Sequence, residues 1–267
     1  MNILINYLLI FRKLANQSLH RIATAPSELF VVYEIMKTEN AEKRFEEYRE
    51  NLKAEIVRLI SYMKLYRRLN ERTVNRLDVM NIAPSFFQVT MDSLFSAIIL
   101  WVHKLLSPKS ESGFWNFLVF IENNRKIFDI PKLQERRDFP DGHWMLERDP
   151  ITFDTIEKDR AKILNLNSLD SFELRRHKFH AHFDKEYFFN RKGISQDAPL
   201  KWNDMDEIFE LMKGILNKYS VSYDGSTYHL IPFNVNDVDQ VLDILHESTA
   251  KSKIDPETGS NDAKAKR

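Results

Sequence analysis

Cysteine is absent from the sequence, and glycine and proline are scarce, with 6 and 9 residues among 267. A chain without cysteine has no disulfide, no thiolate nucleophile and no cysteine-ligated zinc, which agrees with a reducing, cytoplasmic location. Sandwich and Rossmann-type folds need many glycine-rich turns at the ends of their strands. The low glycine content therefore favours an all-α fold.

An excess of positive charge is also missing. Lysine plus arginine and aspartate plus glutamate number 39 each, so the whole chain does not carry the basic surplus of a DNA-coating protein. Any nucleic-acid site must therefore be local. The sequence also lacks a Walker loop, a dinucleotide fingerprint, a zincin motif and a serine nucleophile elbow, so the NTPase, Rossmann, zincin and hydrolase classes have no support.

Long hydrophobic runs are missing too. The apolar stretch at residues 1–11 is followed by Arg12 and Lys13, and it is much shorter than the ~20 residues that span a bilayer. We interpret it as a short docking helix or a mis-assigned start, and expect no stable membrane insertion. A peripheral membrane protein anchored by residues 3–11 is the alternative.

Helical periodicity dominates the rest of the chain. Apolar residues at spacings of three and four predict a long amphipathic helix over residues 39–69, and a stretch apolar on nearly every side predicts a central, most buried helix over 85–106. Further helices are predicted over residues 114–128, 152–164, 169–190, 203–219 and 236–245. Prolines predict a long connection over 130–152 with one short helical turn, and glycine predicts a loop over 193–199 and a turn at 223–225 that can join two very short strands.

These patterns predict three parts of the chain. Residues 1–38 form an N-terminal segment that is a short helix or partly disordered, and residues 39–247 form a helical domain. From residue 248 the composition turns polar, which predicts a disordered tail over 248–267.

One predicted helix carries an unusual density of basic and titratable side chains: Arg175, Arg176, His177, Lys178, His180 and His182. On an ideal α-helix Arg175 shares a face with His182 and Arg176 with His180, whereas Arg176 and His182 lie about 120° apart. Histidine beside arginine suits phosphodiester cleavage, since the guanidinium clamps the phosphate while the imidazole transfers a proton. RNA would supply its own 2′-OH nucleophile, so this chemistry needs no metal.

Two other interpretations of this helix stay open. A solvated helix that pairs with the nearby acids Asp170, Glu173 and Asp184 has the same composition. A zinc site is the other, with ligands drawn from His177, His180, His182 and Asp184. Ligands at these spacings point to different faces of one helix without a carboxylate from elsewhere, so we expect no metal and no cofactor.

The same run resembles the signature of HEPN domains, in which an arginine and a polar residue precede a histidine that often has alanine before it and aspartate after it. Arg176 matches the signature arginine, His177 the polar position and His182 the signature histidine. The likeness is closest to the branch associated with abortive phage infection, where a buried apolar helix and a hairpin precede the signature, as residues 85–124 do here. It covers residues 39–245 in the order of elements and is specific only over 176–184.

The resemblance implies an antiparallel helical bundle of HEPN type, here with additional N- and C-terminal helices, that forms a homodimer with a composite RNase site. It implies a metal-independent endoribonuclease or RNA-binding protein of a phage-defence or toxin–antitoxin system, acting on RNA such as tRNA or mRNA, with an antitoxin as a further partner. Catalytic residues would be Arg176, His177 and His182. On physical grounds we add four substrate-binding candidates: Arg175, Lys178, His180 and Asp184.

Two features of the resemblance leave an alternative. The family commonly places an arginine and an aspartate near the end of the central helix, where this sequence has Trp101-Val102-His103-Lys104-Leu105-Leu106-Ser107. Some members have also lost activity. The alternative function is a catalytically inactive helical module that binds a nucleotide or a protein partner.

Overall fold

The computed structural model describes residues 26–180, 184–190 and 192–254. All regular structure in these ranges is helical, so the predicted all-α class is confirmed. The predicted strands around residues 223–225 were wrong, because a helix continues to Asp224 and ends at Gly225, whose φ of 76° suits a glycine. The antiparallel arrangement of the bundle stays a prediction.

The helices follow one another with short connections. In chain order they are α1 (Pro26–Asn75), α2 (Leu77–Met80), α3 (Pro84–Leu106), α4 (Phe114–Asn123), a 3-10 turn (Arg125–Phe128), α5 (Ile130–Arg137), a 3-10 turn (Trp144–Leu146), α6 (Phe153–Leu164), α7 (Leu169–Arg175), a π-helical turn (Arg176–His180), α8 (Lys185–Phe189), α9 (Gly193–Asp197), α10 (Trp202–Asp224) and α11 (Asp237–Ile254).

The chain divides into two compact units between Phe45 and Glu46. In the first unit, residues 26–45 are α-helical, and the predicted docking helix over residues 1–11 lies outside the described residues. The second unit holds the other described elements. The predicted domain boundaries after residues 38 and 247 stay predictions, although α11 continues to Ile254 and only residues 255–267 of the predicted tail lie outside the described part.

The core of the second unit consists of aliphatic and aromatic side chains from several helices. Each side chain of this kind stabilises the fold by roughly 1.5–3 kcal/mol when it leaves water. Its fully buried members include Ile56, Leu59, Ile98, Ile99, Phe114, Phe117, Phe172, Tyr219 and Tyr223. α3 packs against α4, α7 and the π-helical turn, while α10 packs against α5 and α6. The core thereby fixes α3 beside the basic segment.

α3 has a buried half and an exposed half, so the prediction of a helix buried on nearly every side was wrong for its N-terminal part. Ile98 and Ile99 are fully buried, whereas Phe86 and Val89 are 64% and 63% exposed. α3 is long and apolar enough to cross a membrane. This is weak evidence for a membrane span, because core helices of soluble proteins have similar length and composition. Its exposed half also carries Asp92.

The end of α3 is held close to the start of α4 by a glycine. A Cβ atom on Gly113 would lie 2.5 Å from the carbonyl oxygen of Leu105 and 2.6 Å from that of Lys104. No side chain fits at these distances, so the tight α3–α4 connection requires glycine here. This close approach fixes the last turn of α3 in place, and the antiparallel hairpin of the two helices stays a prediction.

Two segments contain more helix than predicted: the connection over residues 130–152 was predicted to hold one short helical turn, and residues 193–199 were predicted to be a loop. Within the predicted connection, α5 occupies residues 130–137, because Pro131 stands in the first helical turn, where a missing N–H costs nothing. Within the predicted loop, α9 forms at residues 193–197, where Ile194 and the following Ala198 are buried. Burial of a few side chains outweighed the local glycine and proline signals.

Candidate functional site

The basic segment is not one continuous α-helix as predicted. α7 ends at Arg175, a π-helical turn follows over Arg176–His180, and α8 begins at Lys185. A π turn holds more residues per turn than an α-helix, so face assignments made for an ideal α-helix no longer apply from Arg176 onward. Such turns often occur at functional sites.

Arg175 is buried and acts as a tether. Only 7% of it is exposed, its Nε donates a hydrogen bond to the carbonyl oxygen of Ala198 at 2.7 Å, and its guanidinium lies over the Phe95 ring at 5.4 Å. Burial lowers its pKa. Arg175 thus connects the basic segment to the end of α9, and its predicted substrate-binding role stays a prediction.

Arg176 is half-buried and contacts its sequence neighbour. Its Nη1 lies 3.0 Å from Nδ1 of His177. The same Nη1 lies 3.4 Å from Nε2 of His177, so the guanidinium rests against this imidazole. In the part of the chain that the structure describes, no carboxylate forms an ion pair with Arg176. Its remaining N–H groups are therefore available to an anion.

His103, in the last turn of α3, contacts the His177 member of this pair. Its ring and that of His177 are perpendicular, with centroids 5.9 Å apart. Burial and then the charge of Arg176 lower the pKa of His103. Our sequence reasoning did not include His103 among the site residues. The sequence feature that could have identified it is a titratable side chain in a largely apolar helix, directly after the buried Val102.

His180 points away from Arg176 into the α3 side of the core. Ser96 Oγ donates to the carbonyl oxygen of Asp92 at 2.8 Å, so Nδ1 of His180, 2.9 Å from that Oγ, acts as the donor. The imidazole also packs against the edge of Phe95. Burial, and then the charge of Arg175, lower the pKa of His180 to about 4, so it is neutral at pH 7. The predicted pairing of Arg176 with His180 on one face was wrong.

Lys178 and Asp184 pair with each other across the end of the π turn. Lys178 Nζ lies 2.7 Å from Asp184 Oδ2, and the backbone N–H of Glu186 donates to Asp184 Oδ1 at 3.0 Å. These two hydrogen bonds lower the pKa of Asp184. Asp184 therefore caps α8, and its carboxylate is already engaged. Lys178 remains about half exposed despite the ion pair.

His182, the predicted signature histidine, lies outside the described residues. Among the described residues on either side, the N–H of Asp184 donates to the carbonyl oxygen of Lys178 at 3.1 Å. Of the predicted catalytic residues, the structure therefore brings together Arg176 and His177, and it adds His103.

Neither a metal cluster nor the cavity beside α10 coincides with this site. No group of three or more potential metal ligands occurs in the described ranges. The cavity, about 470 Å³, is lined by residues of α1, α10 and the segment after α10, among them Trp202, Phe209 and His229, and by none of the predicted site residues. Arg176, His177 and His103 instead form an open cluster whose side chains suit an anion.

One comparison with known proteins gives a match. A family model of HEPN type, described as AbiU2, matches residues 42–243. The chain has no significant match among curated proteins, and none among solved structures. The matched range includes α3, α7, the π turn and α10, and thus every described member of the candidate site.

Proposed function

The chain belongs to the AbiU2 family of HEPN-type abortive-infection proteins, and from this membership we propose that it is a metal-independent endoribonuclease of a phage-defence or toxin–antitoxin system. Arg176 clamps the scissile phosphate of single-stranded RNA, and His182 transfers the proton of the 2′-OH nucleophile. The observation that carries the proposal is the position of Arg176, which is half-buried in the π turn and has no carboxylate partner among the described residues.

The chemistry of the described residues supports phosphate binding. A planar guanidinium can hold two phosphate oxygens at once, and it stabilises the charge that develops in the transition state. The hydrogen bond to His177 fixes the orientation of the guanidinium and uses only one of its N–H groups. Lys178, half exposed on the same turn, adds positive charge for the adjoining phosphates.

The proposed working form is a cytoplasmic homodimer in which the two basic segments face one another and complete one site. An antitoxin that covers this site would hold the nuclease inactive in the cell. The dimer is tested by measuring the mass of the purified chain with light scattering across a range of concentrations.

The experiment for the catalytic assignment is RNA cleavage in excess EDTA. Wild type, Arg176→Ala and His182→Ala are incubated with total RNA and with purified tRNA. Arg176→Lys keeps the charge without the planar fork, and Arg58→Ala removes an exposed arginine paired with Glu55 on α1. We expect cleavage by wild type and by Arg58→Ala, weak cleavage by Arg176→Lys, and none by the two site variants.

Four results would count against this function. Full activity of His182→Ala would remove the proton-transfer role, and full activity of Arg176→Ala would remove the phosphate clamp. Loss of all cleavage in EDTA that Mg²⁺ restores would reject the metal-independent mechanism. RNA binding without cleavage by wild type would support the inactive binding module instead.

A further inference from the structure

The fold brings a third titratable side chain to the Arg176–His177 pair, and this residue comes from another helix. His103 lies in the last turn of α3, which the α3–α4 connection fixes through the close approach at Gly113. Its ring stands perpendicular to that of His177 with centroids 5.9 Å apart. One guanidinium and two imidazoles therefore converge from α3 and the π turn.

The Nε2 atom of His103 is buried and has no hydrogen-bond partner among the described residues. Buried polar atoms in proteins nearly always have a partner, so an orphaned one needs an explanation. Nε2 of His180 is orphaned as well, but that ring is anchored to Ser96 and Phe95 and is turned away from Arg176. Of these two histidines, His103 is the one whose ring contacts His177, the residue that holds Arg176.

The charges around His103 keep it neutral while the site is empty. Burial lowers its pKa most, Arg176, His177 and Lys109 lower it further, and Glu173 on α7 is the one described charge that raises it. A phosphate beside Arg176 would reverse this balance, because its negative charge favours the imidazolium. Protonated His103 has N–H donors on both nitrogens, and Nε2 would gain the acceptor that it lacks.

We infer that His103 is a phosphate-binding residue of the site, which takes up a proton from solvent as an RNA phosphodiester binds at Arg176 and donates to that phosphate through Nε2. The inference rests on the proposed function, since it assumes that RNA occupies this site. The imidazole has to turn toward the phosphate on binding, as hydrogen bonds in active sites often tighten only in the complex. Proton uptake makes RNA binding tighter at lower pH.

The test is an NMR titration of the full chain with ¹³C-labelled histidine, with and without a saturating single-stranded 2′-O-methyl oligonucleotide that cannot be cleaved. The spectrum of His103→Phe identifies the His103 signal, and phenylalanine keeps a ring against His177. We expect the pKa of His103 to rise by about one unit on binding, which corresponds to about tenfold tighter binding at low pH. Arg176→Ala should abolish this rise.

Affinity measurements give the second readout. His103→Phe should bind the oligonucleotide severalfold more weakly than wild type at pH 6, and the difference should shrink at pH 8 because wild-type His103 is then neutral in the complex as well. His246→Gln is the matched control, since His246 in the middle of α11 pairs with Asp78 of α2 at 3.3 Å. Its affinity should follow the wild-type pH curve.

The possible results distinguish failure of the inference from failure of the proposed function. Oligonucleotide binding with an unchanged pKa of His103 would overturn the inference and leave the nuclease proposal intact. A raised pKa in a protein that cleaves no unmodified RNA would retain the inference and reject the nuclease. Absence of binding at every pH would overturn both. The wild-type titration decides these outcomes even where His103→Phe fails to fold.

Discussion

Two charged clusters of this molecule are built in opposite ways. Asp159 on α6 is fully buried and completely partnered: Lys218 Nζ lies 2.6 Å from both of its oxygens, the Tyr219 hydroxyl donates at 3.0 Å, and Lys162 Nζ is 3.0 Å away. In the Arg176 cluster, no described carboxylate forms an ion pair with Arg176, His177 or His103. Complete pairing marks a charged group that stabilises the fold, whereas missing partners mark a group kept for a ligand.

The largest expected effect is at the paired cluster. Asp159→Ala leaves the buried Tyr219 hydroxyl without its acceptor and removes the partner of Lys218, so we expect the free energy of unfolding to fall by roughly 2–4 kcal/mol. Urea unfolding followed by circular dichroism measures this. Asp154→Ala is the control, because Asp154 and Lys158 pair on an exposed surface of the same helix, and no measurable change is expected. Equal effects of the two variants would show that the buried contacts of Asp159 stabilise the fold no more than an exposed ion pair does.

The second effect concerns pH and His180. Its pKa is about 4 in the folded chain and near its ordinary value of 6.5 in the unfolded chain, so the unfolded state binds more protons between these values. Stability should therefore be complete above pH 6.5 and fall by roughly 2–3 kcal/mol as the pH drops to 4. Other groups titrate there too, so the readout is the difference between wild type and His180→Gln. Parallel curves for the two proteins would show that His180 is not buried as described.

The third effect separates two adjacent arginines. Arg175→Ala removes a hydrogen bond to Ala198 and the contact with Phe95, and should lower the free energy of unfolding by about 1–2 kcal/mol. Arg176→Ala should change it by less than about 0.5 kcal/mol while abolishing the proposed RNA clamp. Thermal unfolding and oligonucleotide binding are measured on both variants. An RNA-binding defect in a stable, folded Arg175→Ala would support the predicted substrate-binding role of Arg175.

The smallest effect is at the Lys178–Asp184 pair. Asp184→Asn keeps a side-chain acceptor for the N-terminus of α8 and loses the ion pair, so the melting temperature should fall only slightly. Asp184→Ala also loses the helix cap, so its melting temperature should be lower still. The order of the two melting temperatures is the test, and a reversed order would show that an acceptor side chain at position 184 does not stabilise the fold.

The sequence could predict much of the fold, because long apolar periodicities depend on local spacing. The pattern that predicted the central helix placed its ends within a residue or two of α3. Short helices such as α5 and α9 were missed, since contacts made elsewhere in the fold decide them. The candidate site was predicted in composition and not in geometry: Arg175 and Arg176 look equivalent in sequence, and only the packing of α7 on α3 shows which one is buried.

The π turn at Arg176–His180 has the geometry of a one-residue insertion into an α-helix. Distances counted along a signature motif therefore do not translate into the angular positions of its side chains. Removal of a single residue from this turn would return it to α-helical register and rotate the side chains that follow by about 100°. A change in the number of residues in the turn can thus inactivate a signature of this kind even when all of its characteristic residues are present.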